Sequence, residues 1–543
     1  RDKRINPYGL MANRTIGLSR DLAIKNVGLE QSYDSFLRGT TGQRLMRYIA
    51  GAYMPVEGAE LEPENGKDIV TTIDTYMQDV TEKALHEMLK GNNSNHGTAI
   101  VMETATGKIK AIANLGMQPD SSFKEDLNYG FGKATEPGSV FKLATLLALI
   151  DDQYVTNQSI VDCEGGSKRF ANLTIKDAHM GTHAVTVKEA FMMSSNVAFA
   201  KLADQYYGNQ PQKFIDKLHR FRLDQMTGID ITAASGKPTI KNPRNRSWSH
   251  TTIPYMAHGY EELVTPLHML MLYNAVANNG KMMKPYLVNS ILEYGVEVKR
   301  FQPTVLVEKI CSDETLRQAR ECLQAVVDSV HGTAHKVVYD TAYSIAGKTG
   351  TAVSALDNKG YNKGNKIYQA SFIGFFPAQA PKYTIAVVIQ NSRQSRLIYG
   401  ADVSGTVFKQ ISDKIYSKYI GRKNYQSPML MDTSINQYYG MKSDLHAIFE
   451  PLQWKVADGA PAGQWRRVEV KSNQAQMLPP SLEVEAKAGW VPNTVGMGLK
   501  DAVYLAETSG LKVITSGRGK VVSQSLLAGT ACKKGQTLTL FLN

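Results

Sequence analysis

The sequence predicts a mixed α/β (α+β) fold, in which helices pack on one mixed sheet and small α+β modules follow. The length of 543 residues exceeds what one hydrophobic core fills and indicates roughly three or four domains. Hydrophobic residues make up 43% and charged residues 21%, the balance of a folded chain rather than a disordered one. Strand patterns occur both before and after a helix-rich middle, so strands far apart in sequence are expected to share one sheet.

Two groups of strand patterns support this prediction. Residues 68–74 alternate polar and apolar side chains, and a helix-period segment with Met77 and Met88 on one face follows them. Two apolar stretches, 98–102 and 109–113, then flank a turn and predict a hairpin. Three later strands are expected at 347–353, 369–376 and 383–390.

Changes in composition divide the chain into four predicted parts. The first is polar and rich in turns, the second holds the sheet and helices, the third is rich in Gln, Asn, Ser and Pro, and the last regains order. Their predicted bounds are 1–65, 66–422, 423–483 and 484–543. A weak echo between the segments starting at Gly440 and Gly496 has an offset of 496 − 440 = 56 residues. The third part is therefore expected to be either a linker or a degenerate copy of the last module.

Charge and cysteine content exclude several classes of function. Lys and Arg total 62 against 50 Asp and Glu, a formal net charge of +12 that is spread along the chain without a basic block. A nucleic-acid partner is therefore not expected. The four cysteines and the histidines lack metal or redox spacing, so no cofactor, metal site or disulfide framework is predicted. No run approaches the roughly 18 apolar residues of a membrane helix. Because the chain begins at Arg1, we expect that an N-terminal anchor or signal has been removed.

The first candidate motif is Ser139-Val140-Phe141-Lys142, directly after a Pro-Gly turn. Ser139 would open an apolar helix, where free N–H groups and the helix dipole favour negative charge. Residues three apart share a helix face, so the Lys142 amine is expected to reach the Ser139 hydroxyl and act as its base. Burial and a neighbouring cation, Lys348, would keep that amine neutral. Ser121 and Lys124 have the same spacing but no comparable helix after them.

The second candidate motif is Ser194-Ser195-Asn196, expected on one helix turn at 191–197. The Ser194 hydroxyl would relay a proton to a leaving group, and the Asn196 amide would hold a substrate carbonyl. Ser and Asn also favour helix caps and turns, so the motif is informative only in series with its neighbours. Ser434-Ile435-Asn436 matches the same pattern but lies out of order.

The third candidate motif is Lys348-Thr349-Gly350-Thr351, which predicts an edge strand. Lys348 and the hydroxyls of Thr349 and Thr351 would bind a terminal carboxylate. Gly350 would leave room for a substrate backbone beside the strand. The backbone N–H groups of Ser139 and Thr351 would form an oxyanion hole.

These three motifs, in this order, resemble those of penicillin-recognising serine enzymes, for which S-x-x-K, S-D-N and K-T-G patterns are typical. The middle Ser-Ser-Asn and the long spacing are similar to transpeptidases rather than to many β-lactamases. The first 65 residues, with Asn6-Pro7-Tyr8-Gly9, resemble the pedestal of class B penicillin-binding proteins. Residues from Val491 onward resemble a PASTA module. Where relatives often have Gly-Gln-Gly, this chain has His258-Gly259-Tyr260, and His258 is expected to be a packed or surface residue rather than a base.

The resemblance implies a monofunctional peptidoglycan D,D-transpeptidase of the septal type that is acylated by β-lactams. It further implies a membrane anchor, a periplasmic or extracellular domain, and a membrane glycan polymerase and division proteins as partners. Two other functions remain open at this point. A serine β-lactamase shares the acylation step but needs a base for deacylation, and a wall-binding or β-lactam-sensing protein would use the pocket without turnover.

Overall fold

The computed structural model describes residues 5–17, 27–49, 51–231, 235–355, 366–421, 437–451, 455–458, 465–471, 474–478 and 488–543. It divides the chain into two compact units, Arg1–Tyr419 and Ile420–Asn543.

A six-stranded sheet forms the centre of the first unit, with the strand order β15-β16-β17-β4-β5-β6. Its strands are β4 (His96–Glu103), β5 (Ile109–Met117), β6 (Phe123–Lys124), β15 (Ala346–Ala355), β16 (Lys366–Phe376) and β17 (Tyr383–Gln390). Each pairs antiparallel with its neighbour, and β17 joins β4. The early hairpin and the late strands thus share one sheet, as the sequence predicts. The nearly continuous burial of β4, β16 and β17 follows from their apolar runs.

Helices cover this sheet and form a separate helical region beside it. Two helices that contact each other, α4 and α13, pack on its inner strands, while α10 packs on β16 and β17 and α11 on β15. The helices of the covering layers are α4 (Thr75–Gly91), α10 (Pro266–Ala277), α11 (Asp313–Asp328), α12 (His335–Val338) and α13 (Thr406–Ile415). Those of the helical region are α5 (Lys142–Asp151), α6 (Val187–Met192), α7 (Asn196–Tyr207), α8 (Pro211–Arg220) and α9 (Thr252–Met256). The mixed α/β fold that the sequence predicts is therefore confirmed.

Small sheets and short helices complete the first unit. The N-terminal residues form α1 (Asn13–Ile16), α2 (Gly28–Ser32), α3 (Asp34–Leu37) and a hairpin of β1 (Gln43–Ile49) and β2 (Ala52–Leu61). A three-stranded sheet contains β3 (Asp68–Thr71), β12 (Val288–Glu293) and β13 (Val296–Arg300). Three strand pairs are β7 (Ile160–Asp162) with β10 (Ala184–Thr186), β8 (Ser167–Phe170) with β9 (Leu173–Lys176), and β11 (Met282–Met283) with β14 (Val305–Val307). Among the described residues, every helix is too short or too polar to span a membrane.

The second unit contains the same arrangement of elements twice. Each copy has one helix followed by three strands. The third strand pairs with both others, parallel to the first and antiparallel to the second. The first copy is α14 (Lys442–Phe449), β19 (Lys455–Asp458), β20 (Trp465–Lys471) and β21 (Gln474–Leu478), and an extra strand, β18 (Gln437–Met441), pairs with β20. The second is α15 (Leu499–Thr508), β22 (Lys512–Ser516), β23 (Val521–Gln524) and β24 (Thr537–Leu542). This shared topology favours a degenerate module over a linker at 423–483. The assignment of that part of the chain stays a prediction.

All four cysteines are unpaired. Cys163, Cys311 and Cys322 are buried, and burial raises the pKa of the Cys311 and Cys322 thiols to about 12. They are therefore protonated and unreactive at neutral pH.

Candidate active site

Ser139 lies in a short turn that leads into α5. Gly138 has a φ of +62°, and a single 3₁₀ turn, Gly138–Phe141, precedes the α-helix that begins at Lys142. The left-handed backbone favours glycine, and a side chain there would also come within 2.8 Å of Ala352 Cβ on β15. The sequence predicts a helix from Val140, and the structure replaces its first turn by the tighter 3₁₀ form. Ser139 and Lys142 still share one face.

The Lys142 amine of the first motif contacts residues of the second. Its Nζ lies 3.1 Å from Ser139 Oγ, 2.6 Å from the Ser194 carbonyl oxygen, 3.1 Å from Ser194 Oγ and 2.7 Å from Asn196 Oδ1. The carbonyl and the amide oxygen can only accept hydrogen bonds. A neutral amine has two N–H groups and one lone pair, so its N–H groups satisfy those two oxygens. The lone pair is then left for a hydroxyl, that of Ser139 or Ser194.

Burial favours the neutral form of the Lys142 amine. The Lys142 side chain is fully buried, and burial lowers the pKa of its amine to about 7, while the charge of Asp177 opposes this shift. The sequence predicts that Lys348 contributes to this shift, but burial alone accounts for the lowered pKa of Lys142. Burial also lowers the pKa of the Lys348 amine well below its usual value, and Lys142 adds to that shift.

The second motif lies at a junction between two helices. The predicted single helix turn at 191–197 is wrong, because α6 ends at Met192 and α7 begins at Asn196. Ser194 between them has a φ of +62°, a strained conformation for a residue other than glycine. This conformation lets Ser194 present both its carbonyl and its hydroxyl to the Lys142 amine.

The third motif lies on β15, which is an edge strand of the sheet, as predicted. The Lys348 amine is fully buried and donates to the Thr349 carbonyl at 3.0 Å, and it lies 5.7 Å from the centre of the Phe191 ring. The Thr349 hydroxyl is bonded to that of Thr333, 2.8 Å away. A side chain on Gly350 would overlap Ser371 Oγ and approach Val140 Cγ1 at 3.1 Å. Glycine is thus required here for packing of the Ser139 turn on β15, a reason that the sequence did not indicate.

The open edge of β15 carries the Thr351 backbone. Val353 N–H points away from β16 and donates to the Tyr260 hydroxyl at 3.2 Å. Because backbone groups in a strand alternate in direction, Thr351 N–H faces the same edge. The Thr351 hydroxyl accepts a hydrogen bond from Gly400 N–H at 3.0 Å.

A segment at 257–260, which we call the bridging segment, connects the first motif to the third. Gly259 carbonyl accepts from Gly138 N–H at 3.0 Å, and the Ala257 carbonyl accepts from the Thr145 hydroxyl at 2.9 Å. The Tyr260 hydroxyl bonds the β15 backbone. His258 is buried within the segment, and burial lowers the pKa of its imidazole to about 3. It is a packed residue, consistent with the expectation from the sequence.

The other serines that match the motif patterns lie in different surroundings from Ser139 and Ser194. Ser121 lies in an exposed turn, and Lys124 is on β6 with its amine 3.8 Å from Asp120. Ser434 lies outside the described residues. No group of three or more His, Cys, Asp or Glu side chains within the described ranges has the geometry of a metal site.

The structure brings Ser139, Lys142, Ser194 and Asn196 together and places Lys348–Thr351 on the adjoining strand. The sequence carries no motif signal for Thr333 or Asp177, and it indicates no contact between Tyr260 and β15.

A serine hydroxyl beside a buried lysine amine is the arrangement found in Ser–Lys acyl-transferases. Comparison with known proteins agrees. The penicillin-binding protein transpeptidase domain matches residues 97–413, and the PASTA domain matches residues 491–543. The first match covers 413 − 97 + 1 = 317 of the 543 residues. The chain therefore belongs to the transpeptidase family of penicillin-binding proteins.

The chain is similar to several named relatives over most of its length. Stage V sporulation protein D of Bacillus subtilis is 25% identical over 99% of this chain and 75% of its own length. Peptidoglycan D,D-transpeptidase FtsI of Escherichia coli K12 is 24% identical over 75% of this chain and 66% of its own length. The chain spans 60% of PbpB of Mycolicibacterium smegmatis, at 27% identity.

Solved structures show the same fold. Penicillin-binding protein 3 of Mycobacterium tuberculosis, in complex with aztreonam, has a TM-score of 0.65 at 24% identity, covering 78% of this chain and 91% of that one. The fold class and the enzyme class predicted from the motifs are confirmed. The chain is a serine-type D,D-transpeptidase of peptidoglycan that binds β-lactams.

Proposed function

We propose that Ser139 is the nucleophile and that it forms an acyl-enzyme with the D-alanyl-D-alanine end of a peptidoglycan stem peptide. The observation that carries this proposal is the Lys142 amine, whose two N–H groups are directed at acceptors and whose lone pair is left for a hydroxyl, with Ser139 Oγ 3.1 Å away. A base beside a hydroxyl at a helix start is what a serine needs to become nucleophilic.

The proposed reaction has two acyl transfers. In the first, Lys142 takes the Ser139 proton as Oγ bonds to the carbonyl carbon of the penultimate D-alanine. The C–N bond then breaks, and the proton passes through the Ser194 hydroxyl to the departing amine of the terminal D-alanine. In the second, the amine of a neighbouring stem peptide attacks the ester carbonyl and gives its proton back along the same route. The C–O bond breaks, and Ser139 regains its proton.

The third motif would hold the donor peptide. Its terminal carboxylate would lie against Lys348, Thr349 and Thr351, and its negative charge would favour the protonated Lys348 amine. The peptide backbone would add to the open edge of β15, where main-chain groups face outward. The N–H groups of Ser139 and Thr351 would bind the developing oxyanion, and the Asn196 amide would hold a peptide carbonyl.

The cellular setting follows from the substrate. Peptidoglycan lies outside the cytoplasmic membrane, so we place the enzyme in the periplasm or at the cell surface, held by one N-terminal anchor. The relatives named FtsI and PbpB and the PASTA module favour a role in the division septum, with a membrane glycan polymerase and division proteins as partners.

Benzylpenicillin tests the site assignment, because a β-lactam acylates the same nucleophile as the stem peptide. Intact-protein mass spectrometry is expected to show a stable adduct of one benzylpenicillin on the wild type and none on Ser139→Ala. Ser121→Ala is the matched control, since Ser121 has the same sequence spacing to a lysine, and it is expected to be acylated at the wild-type rate.

Three outcomes would contradict the proposal. An adduct on Ser139→Ala would move the nucleophile elsewhere. Steady hydrolysis of benzylpenicillin without a lasting adduct would favour a serine β-lactamase over a transpeptidase. A lasting adduct without stem-peptide exchange would favour a β-lactam-sensing or wall-binding protein.

A further inference from the structure

A carboxylate outside the three motifs is bonded to the second one. Asp177 directly follows β9, and its backbone N–H donates to the Gly166 carbonyl at 2.9 Å. The β8–β9 hairpin is held on α7 by an apolar cluster of Phe170, Ile175, Val197 and Ala200. The hairpin therefore positions the Asp177 side chain next to the first residues of α7.

Asp177 binds three consecutive residues there. Its Oδ1 accepts from Asn196 N–H at 2.6 Å and from Val197 N–H at 2.9 Å, and its Oδ2 accepts from the Ser195 hydroxyl at 2.7 Å. The first N–H groups of a helix have no partner within it, so a carboxylate that accepts two of them fixes where the helix begins. Ser195 Oγ in turn caps α7 by accepting from Ala198 N–H at 3.0 Å.

The hairpin also fixes the Asn196 side chain. Asn196 Nδ2 donates to the carbonyl of Lys176, the residue before Asp177, at 2.9 Å. With its amide nitrogen and its backbone N–H both held by Lys176 and Asp177, Asn196 presents Oδ1 to the Lys142 amine at 2.7 Å. One of the two acceptors that direct the Lys142 lone pair thus depends on contacts from residues 176 and 177.

We propose that Asp177 is a positioning residue for acylation: it fixes the start of α7, and through it the Asn196 oxygen against the Lys142 amine. Its negative charge also acts on Lys142, and it favours the protonated amine. The proposal rests on the proposed role of Lys142 as the base. It adds a group that none of the three motifs contains.

Three titratable groups act on or respond to the Lys142 amine, and they differ in charge. Lys348 and His258 are buried, and burial together with Lys142 lowers the pKa of each. The Asp177 carboxylate acts in the opposite direction on Lys142 and raises its pKa against the effect of burial. Removing that charge disfavours the protonated amine, so the pKa of Lys142 falls.

The test is the pH profile of benzylpenicillin acylation, measured by stopped-flow or quench-flow from pH 5 to 9. Asp177→Asn keeps the shape and one acceptor oxygen but removes the charge. We expect the midpoint of its acylation profile to move to lower pH by about one unit. Asp177→Ala loses all three hydrogen bonds, and its maximal acylation rate is expected to fall about 10- to 100-fold.

Asp74 provides a matched control, since it caps α4 by accepting from Tyr76 N–H at 3.1 Å and Met77 N–H at 3.0 Å. Asp74→Asn is expected to keep both the midpoint and the maximal rate. A role of Asp177 in helix stability alone would lower the melting temperature without moving the midpoint. An unmoved midpoint in Asp177→Asn, or a wild-type maximal rate in Asp177→Ala, would overturn the proposal.

If Asp177→Ala does not fold, the isosteric Asp177→Asn still decides the question through its midpoint. Ser139→Ala separates this inference from the proposed function. An adduct on Ser139→Ala would contradict the assignment of Ser139 as the nucleophile. If Ser139→Ala forms no adduct but the Asp177 variants acylate like the wild type, only the positioning role is contradicted.

Discussion

At the scale of single residues, the site depends on an amine surrounded by oxygens that are not carboxylates. Lys142 contacts a carbonyl, an amide and two hydroxyls. A carboxylate in direct contact would hold the amine in its charged form and remove its lone pair. Asp177 acts from one residue further away, through Asn196, and therefore opposes the effect of burial without cancelling it.

The pKa of Lys142 predicts how acylation depends on pH. We propose the neutral amine as the base, so acylation is expected to be slow where the amine is protonated and to rise with pH. With a pKa of about 7, the rate is expected to be half-maximal near pH 7. Benzylpenicillin acylation rates across pH 5 to 9 would show this rise.

Lys142→Arg is the control for this profile, because a guanidinium stays charged throughout that range. Its acylation is expected to be slower by about 100-fold or more at every pH. A wild-type profile that stays flat from pH 5 to 9 would argue against Lys142 as the base.

At the scale of elements, the bridging segment holds the Ser139 turn and β15 together, and Gly259 is its tightest point. Gly259 has a φ of +95°, and a side chain there would overlap the Gly138 carbonyl. Glycine is thus needed both for its backbone conformation and for the close approach of two chain segments.

Gly259→Ala is expected to destabilise the protein by about 2 to 4 kcal/mol and to slow acylation. Gly295→Ala is the matched control, since Gly295 has a φ of +80° and open space around it. It would carry only the backbone strain, about 1 kcal/mol, and keep the wild-type acylation rate. Urea unfolding and acylation rates of both variants would check this, and equal losses in both would contradict a packing role for Gly259.

The first and third motifs predicted how their own side chains are placed, because each lies on one continuous helical segment or strand. Ser139 and Lys142 share a helix face, and Lys348–Thr351 follow one another on a strand, so spacing alone indicates their geometry. Asp177 could not be found in this way, because it lies 196 − 177 = 19 residues before Asn196 on a different element. The left-handed Ser194 was missed for a related reason, since the break between α6 and α7 is set by tertiary contacts and not by helix propensity.

At the scale of the whole molecule, the C-terminal module (residues 491–543) has a hydrophobic core of its own. Leu505, Ala506, Leu538 and Leu540 are fully buried in a cluster whose members all lie between residues 491 and 542. A self-contained core indicates that this module is stabilised locally.

Leu505→Ala is expected to destabilise this module by about 3 kcal/mol, because it leaves a cavity among these side chains. Hydrogen exchange is expected to show faster exchange in α15, β22 and β24, with the acylation rate unchanged. Leu146→Ala, at a fully buried position of α5, is the control and is expected to slow acylation. A comparable loss of acylation in Leu505→Ala would contradict independent stabilisation of the module.

The pairing of β17 with β4 has a consequence for the order in which the enzyme is assembled. Tyr383 pairs with Glu103 and Gln390 with His96, which closes loops of 383 − 103 = 280 and 390 − 96 = 294 residues. Contacts this distant in sequence form late and slowly. A nascent chain has all three motifs once residue 351 has been made. Yet the strand that joins β15 and β16 to the early hairpin is still missing at that point. During synthesis, Ser139 is therefore made well before the sheet that carries the third motif can be completed, and we expect β-lactams to acylate only the completely folded chain.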